Sequence, residues 1–324
     1  MLRVGNHGAA GRVAKFLVAV WLFGGIAAVL ISCDQGCLQE EARKKVALRE
    51  VLQKAELPPL SENSTRQKGQ SVSVASLPEL EELSLKRPEL PSKPVELPDF
   101  VAIRDIEERK HRFFEFMQDL LQAENMRVRR ERYLLLRHYR TFLREETLSE
   151  KDKEWLSSLC EKYREPFGNG PDSELFRSLL LKVDVVPVEL GVAQAANESA
   201  WGTSRFARAG KNLFGQWCFE KDCGLVPLRR SPGSTHEVKT YSSPLHSVRD
   251  YMRNLNSHPA YREFRILRYR QRRNNSDLEG EKLAEGLLAY SGIGHEYVHR
   301  LRSIMEQYAA YKEKVQAKEG SQRG

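Results

Sequence analysis

Apolar residues fall into three regimes along this chain. Phe16 to Ser32 is a near-continuous apolar run behind Arg3, Arg12 and Lys15, the layout of an export signal with a charged region before its hydrophobic one. Leu38 to Ala55 is charged with helical spacing and reads as a short stalk helix. Glu56 to Asp99 is rich in Pro, Ser, Glu and Lys, as in Arg87-Pro-Glu-Leu-Pro-Ser-Lys-Pro94. Such a stretch cannot bury a core and reads as a semi-extended linker. From Phe100 helical periodicity takes over: Phe113, Phe116, Met117, Leu120 and Leu121, then Val128, Leu135, Leu136, Tyr139, Phe142 and Leu143, with Arg and Glu between them. A two-helix hairpin and one long amphipathic helix fit this equally well. Ser149-Glu-Lys-Asp152 reads as the next helix start.

Beyond Tyr163 the pattern predicts helices over 175–182, 187–208, 244–256, 279–290 and 296–312. Strand-like segments fall at 216–219 and 237–241, with the Ser231-Pro-Gly-Ser234 turn between them. The chain thus divides into 1–33, a signal peptide or anchor; 34–99, stalk and linker; 100–160, an amphipathic helical segment packed against the folded domain; 161–315, the folded domain itself; and 316–324, a disordered tail. The fold class is mainly α (α+β), a helical domain with a small β-hairpin lobe.

One segment within that domain points to chemistry. Pro187 suits a first helical turn and Gly202 a stop, and between them Gly191, Gln194, Ala195 and Glu198 share one face. A carboxylate among alanines and beside Trp201 is partly desolvated. Desolvation raises its pKa and lets it hold a proton for general-acid work. The alternative is a solvated glutamate at a helix end.

Glu198-Ser-Ala-Trp-Gly-Thr-Ser204 followed by Asn212-Leu-Phe-Gly215 resembles the signature of the bacterial glucosaminidase family of cell-wall hydrolases. Asn212-Leu-Phe-Gly-Gln-Trp-Cys-Phe219, Cys223-Gly-Leu-Val-Pro227, Tyr241 to Tyr251 and Leu283 to Tyr290 are similar to its Bax-like subgroup. The resemblance covers about the last half of the chain. It implies a lysozyme-like, mainly helical catalytic domain that cuts a glycan containing N-acetylglucosamine, without a cofactor or metal. It assigns the general acid to Glu198 and a tyrosine near it to Tyr290. It suggests a second acidic residue on the hairpin, for which Glu237 is the candidate and Glu220 and Asp222 are rivals. Trp201, Asn212, Phe214, Gly215 and Gln216 would line the sugar groove, although core packing is a strong alternative for Phe214.

Net charge changes the picture little. The formal balance of +8 suits an anionic polymer or a membrane surface. Arg268-Tyr-Arg-Gln-Arg-Arg273 is the best local argument for nucleic acid, but no nucleic-acid-binding motif accompanies it. It reads as a solvated face or a contact to wall or membrane anions, so the expected partner is peptidoglycan and not nucleic acid.

Leu30-Ile-Ser-Cys33 resembles a bacterial lipobox, which would place a diacylglycerol on Cys33, and Asp34 then implies retention at the inner membrane. An uncleaved signal anchor is the alternative, and both put the remainder in the periplasm. In that oxidising compartment Cys218 and Cys223 are expected to form a disulfide, a metal site being the alternative. Cys37 and Cys160 stay unassigned.

His295-Glu-Tyr-Val-His299 is literally H-E-x-x-H and could mark a periplasmic zinc metallopeptidase. Against it, Ser291-Gly-Ile-Gly294 places His295 at a loop or first turn, and the extended motif's later positions hold Arg302 and Met305. A non-catalytic wall-binding protein is the third reading, which an intact Glu198 disfavours.

Overall fold

The computed structural model describes residues 96–145, 147–228, 233–274 and 277–322. The export signal, Cys33, Cys37 and nearly all of the linker lie outside them. Among the described residues no helix is long and apolar enough to cross a membrane.

The periodic stretch after Phe100 resolves into one helix, α1 (Ile106–Glu145), of 40 residues and about 60 Å. Asp105 caps its start by accepting from the Glu108 amide at 2.7 Å. Its buried stripe, Phe113, Phe114, Met117, Leu120, Leu121, Val128 and Leu135, belongs to the same hydrophobic core as the rest of the domain. Helix α2 (Glu150–Lys162) begins at the expected Ser149, whose hydroxyl accepts from the Asp152 amide, and α3 (Ser173–Lys182) is capped by Asp172. Cys160 is buried in α2, where burial pushes its thiol up to about 11.

Helix α4 (Val188–Ser199) is the axis of the domain. Leu190, Val192, Ala193, Ala195 and Ala196 are all essentially inaccessible, the composition of a helix covered on every side. Long α1 packs along it, and so does α9 (His295–Gln322). A side chain at Gly191 would run into Leu121, its Cβ falling 2.6 Å from Leu121 Cδ2, so this small residue sets the α1–α4 approach. The helix predicted over 187–208 is interrupted: α4 ends at Ser199, Ala200, Trp201 and Gly202 take left-handed backbone, and α5 (Arg205–Gly210) restarts from a Ser204 cap. At Gly202 a Cβ would meet the Phe100 ring at 2.4 Å.

The β-lobe is a three-stranded antiparallel sheet of β1 (Trp217–Cys218), β2 (Gly224–Leu225) and β3 (Glu237–Lys239), with β3 central. Trp217 pairs with Val238 and Cys218 with Glu237 on one side; Gly224 pairs with Lys239 on the other. Helix α6 (Pro244–Ser257) follows a Ser243 cap, then a turn of 3₁₀ helix leads into α7 (Arg262–Arg273). The helix predicted over 279–290 is only α8 (Gly280–Leu283) and a 3₁₀ turn, Ala284–Leu287, because Gly286 lies against the Phe264 backbone.

Two expectations are corrected. The tail predicted over 316–324 is helical to Gln322 as the end of α9. The basic run is not wholly a solvated face, since Arg268 is 1% exposed. Its guanidinium donates to the carbonyls of Asp184, Val185, Leu181 and Lys182 and to Asn256 Oδ1, tying α7 to the α3–α4 connection. Asp184 beside it would be raised by burial, but Arg132, Arg268 and Arg272 outweigh that and hold it at about 2. Arg268→Ala strands these acceptors in the core and should cost about 3–5 kcal/mol, read from the urea-unfolding midpoint. Arg270→Ala, exposed on the same helix, should stay within about 0.5 kcal/mol. Equal losses in the two variants would contradict the buried role.

Candidate active site

Glu198 occupies the last turn of α4, partly buried and still open to solvent. Burial raises its pKa, and the carboxyl keeps two opposing contacts: the Asn197 side chain donates to Oε1 at 3.0 Å, and the Tyr297 hydroxyl bonds to it. The negative end of the helix acts in the same direction as burial. Tyrosines surround the group. Tyr251, Tyr261, Tyr290 and Tyr297 all feel its charge, and burial pushes each of their hydroxyls up.

These tyrosines form a connected assembly. Tyr251 donates to Gln194 Oε1 at 2.6 Å, and Gln194 Nε2 donates to the Tyr297 hydroxyl at 3.0 Å. The chain from α6 through α4 to α9 therefore ends on Glu198. Tyr290 stacks on Tyr297 with ring centroids 5.6 Å apart, and its hydroxyl donates to the Phe214 carbonyl at 3.2 Å. Gly215 completes the wall. Its backbone is left-handed at φ +65, and a Cβ built there would stand 3.8 Å from Glu198 Oε2. Glycine thus allows both the turn and the close approach.

The other residues assigned from the resemblance fall in different places. Asn212 is buried, and its side chain knots the turn: Nδ2 donates to the Gln216 and Lys239 carbonyls, while Oδ1 accepts from the Phe214 and Gln216 amides. Phe214 stacks on Tyr251 at 3.8 Å in the core. Gln216 is half-buried, with Oε1 shut from solvent and without a hydrogen-bond partner. Trp201 turns toward α1, edge-on to Phe113 and Phe114, with Lys110 Nζ over its ring at 5.6 Å. Its ring is partly buried and packs edge-on against the helical core.

Glu237 lies on β3, with Oε1 accepting from the Asp222 amide at 3.2 Å and Oε2 from the Gly224 amide at 2.8 Å. It clamps the loop closed by the Cys218–Cys223 disulfide. Glu237 and the two sulfurs converge within 4.8 Å. With the sulfurs bonded to each other and the carboxylate taken up by amides, this donor set does not suit a metal. The H-E-x-x-H segment opens α9 with His295, Glu296 and His299 exposed, and Glu296 pairs with Arg300 at 3.1 Å. Among the described residues no third ligand groups with them. The same helix turns Tyr297 inward to Glu198.

Sequence reasoning passed over Gln194 as a hydrogen-bonding residue and passed over Tyr251, Tyr261 and Tyr297. The signal for Tyr297 was its inward phase on α9, which the histidine motif hid.

Residues 173–310 match the sequence model of the glucosaminidase family, described as mannosyl-glycoprotein endo-beta-N-acetylglucosaminidase. The family supports a glycoside hydrolase acting on a glycan. The chain is 28% identical over 216 residues, 66% of its own length and 75% of the relative's, to protein bax of Escherichia coli (strain K12). No solved structure matches it.

Tyr297→Phe removes a donor that favours the Glu198 carboxylate, so the Glu198 titration should move further up. A carboxyl-carbon NMR titration reads this directly, and an unchanged or lowered midpoint would contradict the assembly.

Proposed function

We propose that this protein hydrolyses the β-1,4 bond on the reducing side of N-acetylglucosamine in peptidoglycan, with Glu198 as general acid. The observation behind the reading is the partly desolvated carboxyl of Glu198, raised by burial and open to solvent at one side. A carboxyl whose pKa is raised holds its proton to higher pH and can give it to the leaving glycosidic oxygen as the C1–O bond breaks. A second carboxylate placed as nucleophile is not identifiable from the sequence pattern. That favours either the substrate's own 2-acetamido oxygen, bonding to C1, or a water held by Glu237 and Tyr290. In the first route water then attacks C1, the C1–O bond to the acetamido oxygen breaks, and the water gives a proton back to Glu198. Tyr290, close enough to feel the Glu198 charge, would orient the acetamido group or this water. Glu237, held by the loop amides, supports the lobe that faces the acid.

The chain's first residues support export, with anchoring at the periplasmic face of the inner membrane through a lipid on Cys33 or an uncleaved signal anchor. The linker would then give the domain reach into the wall. Cys33→Ser should abolish labelling by a radioactive fatty acid and leave a longer precursor. Full labelling in that variant would remove the lipid anchor from the account.

Glu198→Gln keeps the shape and removes the proton. Release of muropeptides from purified sacculi should fall by about a hundred- to ten-thousand-fold. Glu237→Gln should cost less, while His299→Ala and added chelator should leave the rate near normal. Near-normal digestion by Glu198→Gln, with loss in His299→Ala, would replace the glycosidase reading with the zinc one.

A further inference from the structure

Gly215, beside the acid, is followed after one residue by Trp217, the first residue of edge strand β1. Two peptide units separate their Cα atoms by at most about 7.6 Å. Trp217 is 58% exposed although one face of its indole is stacked on His236, centroids 4.2 Å apart and rings 19° from parallel. Phe219, two residues on, is 71% exposed. Two large aromatics this exposed, one on β1 and one in the loop after it, are costly to keep in water unless a ligand covers them.

We propose that Trp217 and Phe219 form a sugar-stacking platform, a subsite that takes the apolar face of an N-acetylated pyranose in the glycan strand whose scissile bond lies at Glu198. The proposal rests on the glycosidase reading and extends it. His236 braces the indole from behind, so its free face is presented without a side-chain rearrangement. The loop carrying Phe219 is closed by the Cys218–Cys223 disulfide and by the Glu237 clamp on the Asp222 and Gly224 amides. Those bonds fix the loop against β3. The loop's own exposed charges, Glu220, Lys221 and Asp222, balance to −1, which suits a glycan better than an anionic lipid surface. The residues already assigned to the groove, Phe214 and Trp201, face the core, so the stacking surface passes to Trp217.

The test uses the full chain carrying Glu198→Gln, so that glycan binds without being cut. The probe is a soluble hexamer of β-1,4-linked N-acetylglucosamine, followed by calorimetry. Adding Trp217→Ala should weaken binding about tenfold, the scale of a lost aromatic contact. Trp217→Phe should keep most of it, and opening the disulfide with a reductant should weaken the parent. Unchanged affinity in Trp217→Ala, with the parent binding and the native protein cutting sacculi, would overturn the platform and leave the glycosidase reading standing. Absence of both binding and cutting would overturn the two together. Unchanged glycan affinity with loss of binding to phosphatidylglycerol vesicles would also overturn it, giving the patch to a membrane.

Discussion

A carboxyl group held partly out of water at the end of a buried helix is the constraint on which the domain depends. Glu198 has no cation beside it among the groups that set its titration. Burial and the helix's negative end both disfavour its anion, and Asn197 and Tyr297 only partly compensate. The rest of the fold can be understood as a frame that holds such a group in place. Helix α4 reaches that position because alanines and Gly191 let α1 and α9 pack closely on it. The left-handed residues after Ser199 end the helix where the acid must stay accessible.

The polar residues around the acid do two separable jobs. Gln194, Tyr251 and Tyr297 link three helices through hydrogen bonds that would each leave a buried polar atom stranded if broken. Asn212 and Glu237 work on backbone instead, one tying the turn before β1 to β3 and the other holding the disulfide loop. The first set fixes the acid, and the second fixes the lobe opposite it. Arg268 and Asn256 do comparable work farther away, bonding the carbonyls that lead into α4.

The sequence made local features legible and long-range ones much less so. The Ser149 cap, the strands at 217 and 237, and α6 come from neighbouring residues, and all are present. Glu198 was legible because the pattern of its own helix and the motif that follows it single it out, although its surroundings come from other elements. Tyr251 and Tyr297 were not, since they approach from α6 and α9, about fifty and a hundred residues away. The H-E-x-x-H spelling drew attention to His295 and His299, whereas the helix phase presents Tyr297 to the core. Arginine-rich spacing suggested a solvated face on α7, yet a phase that places Arg268 among free carbonyls overrode composition. Trp217 was hidden for a similar reason: nothing local distinguishes an aromatic covered by core from one left open on an edge strand.

The central claim is that the proton on Glu198 governs catalysis, and the pH dependence of kcat/KM for glycan cleavage tests it most directly. The account predicts an alkaline limb, activity falling as pH rises through the raised pKa of Glu198, with a midpoint that coincides with the carboxyl titration of the free protein. A rate that stays level or climbs across that titration would show that cleavage proceeds with Glu198 ionised, and the account would fail.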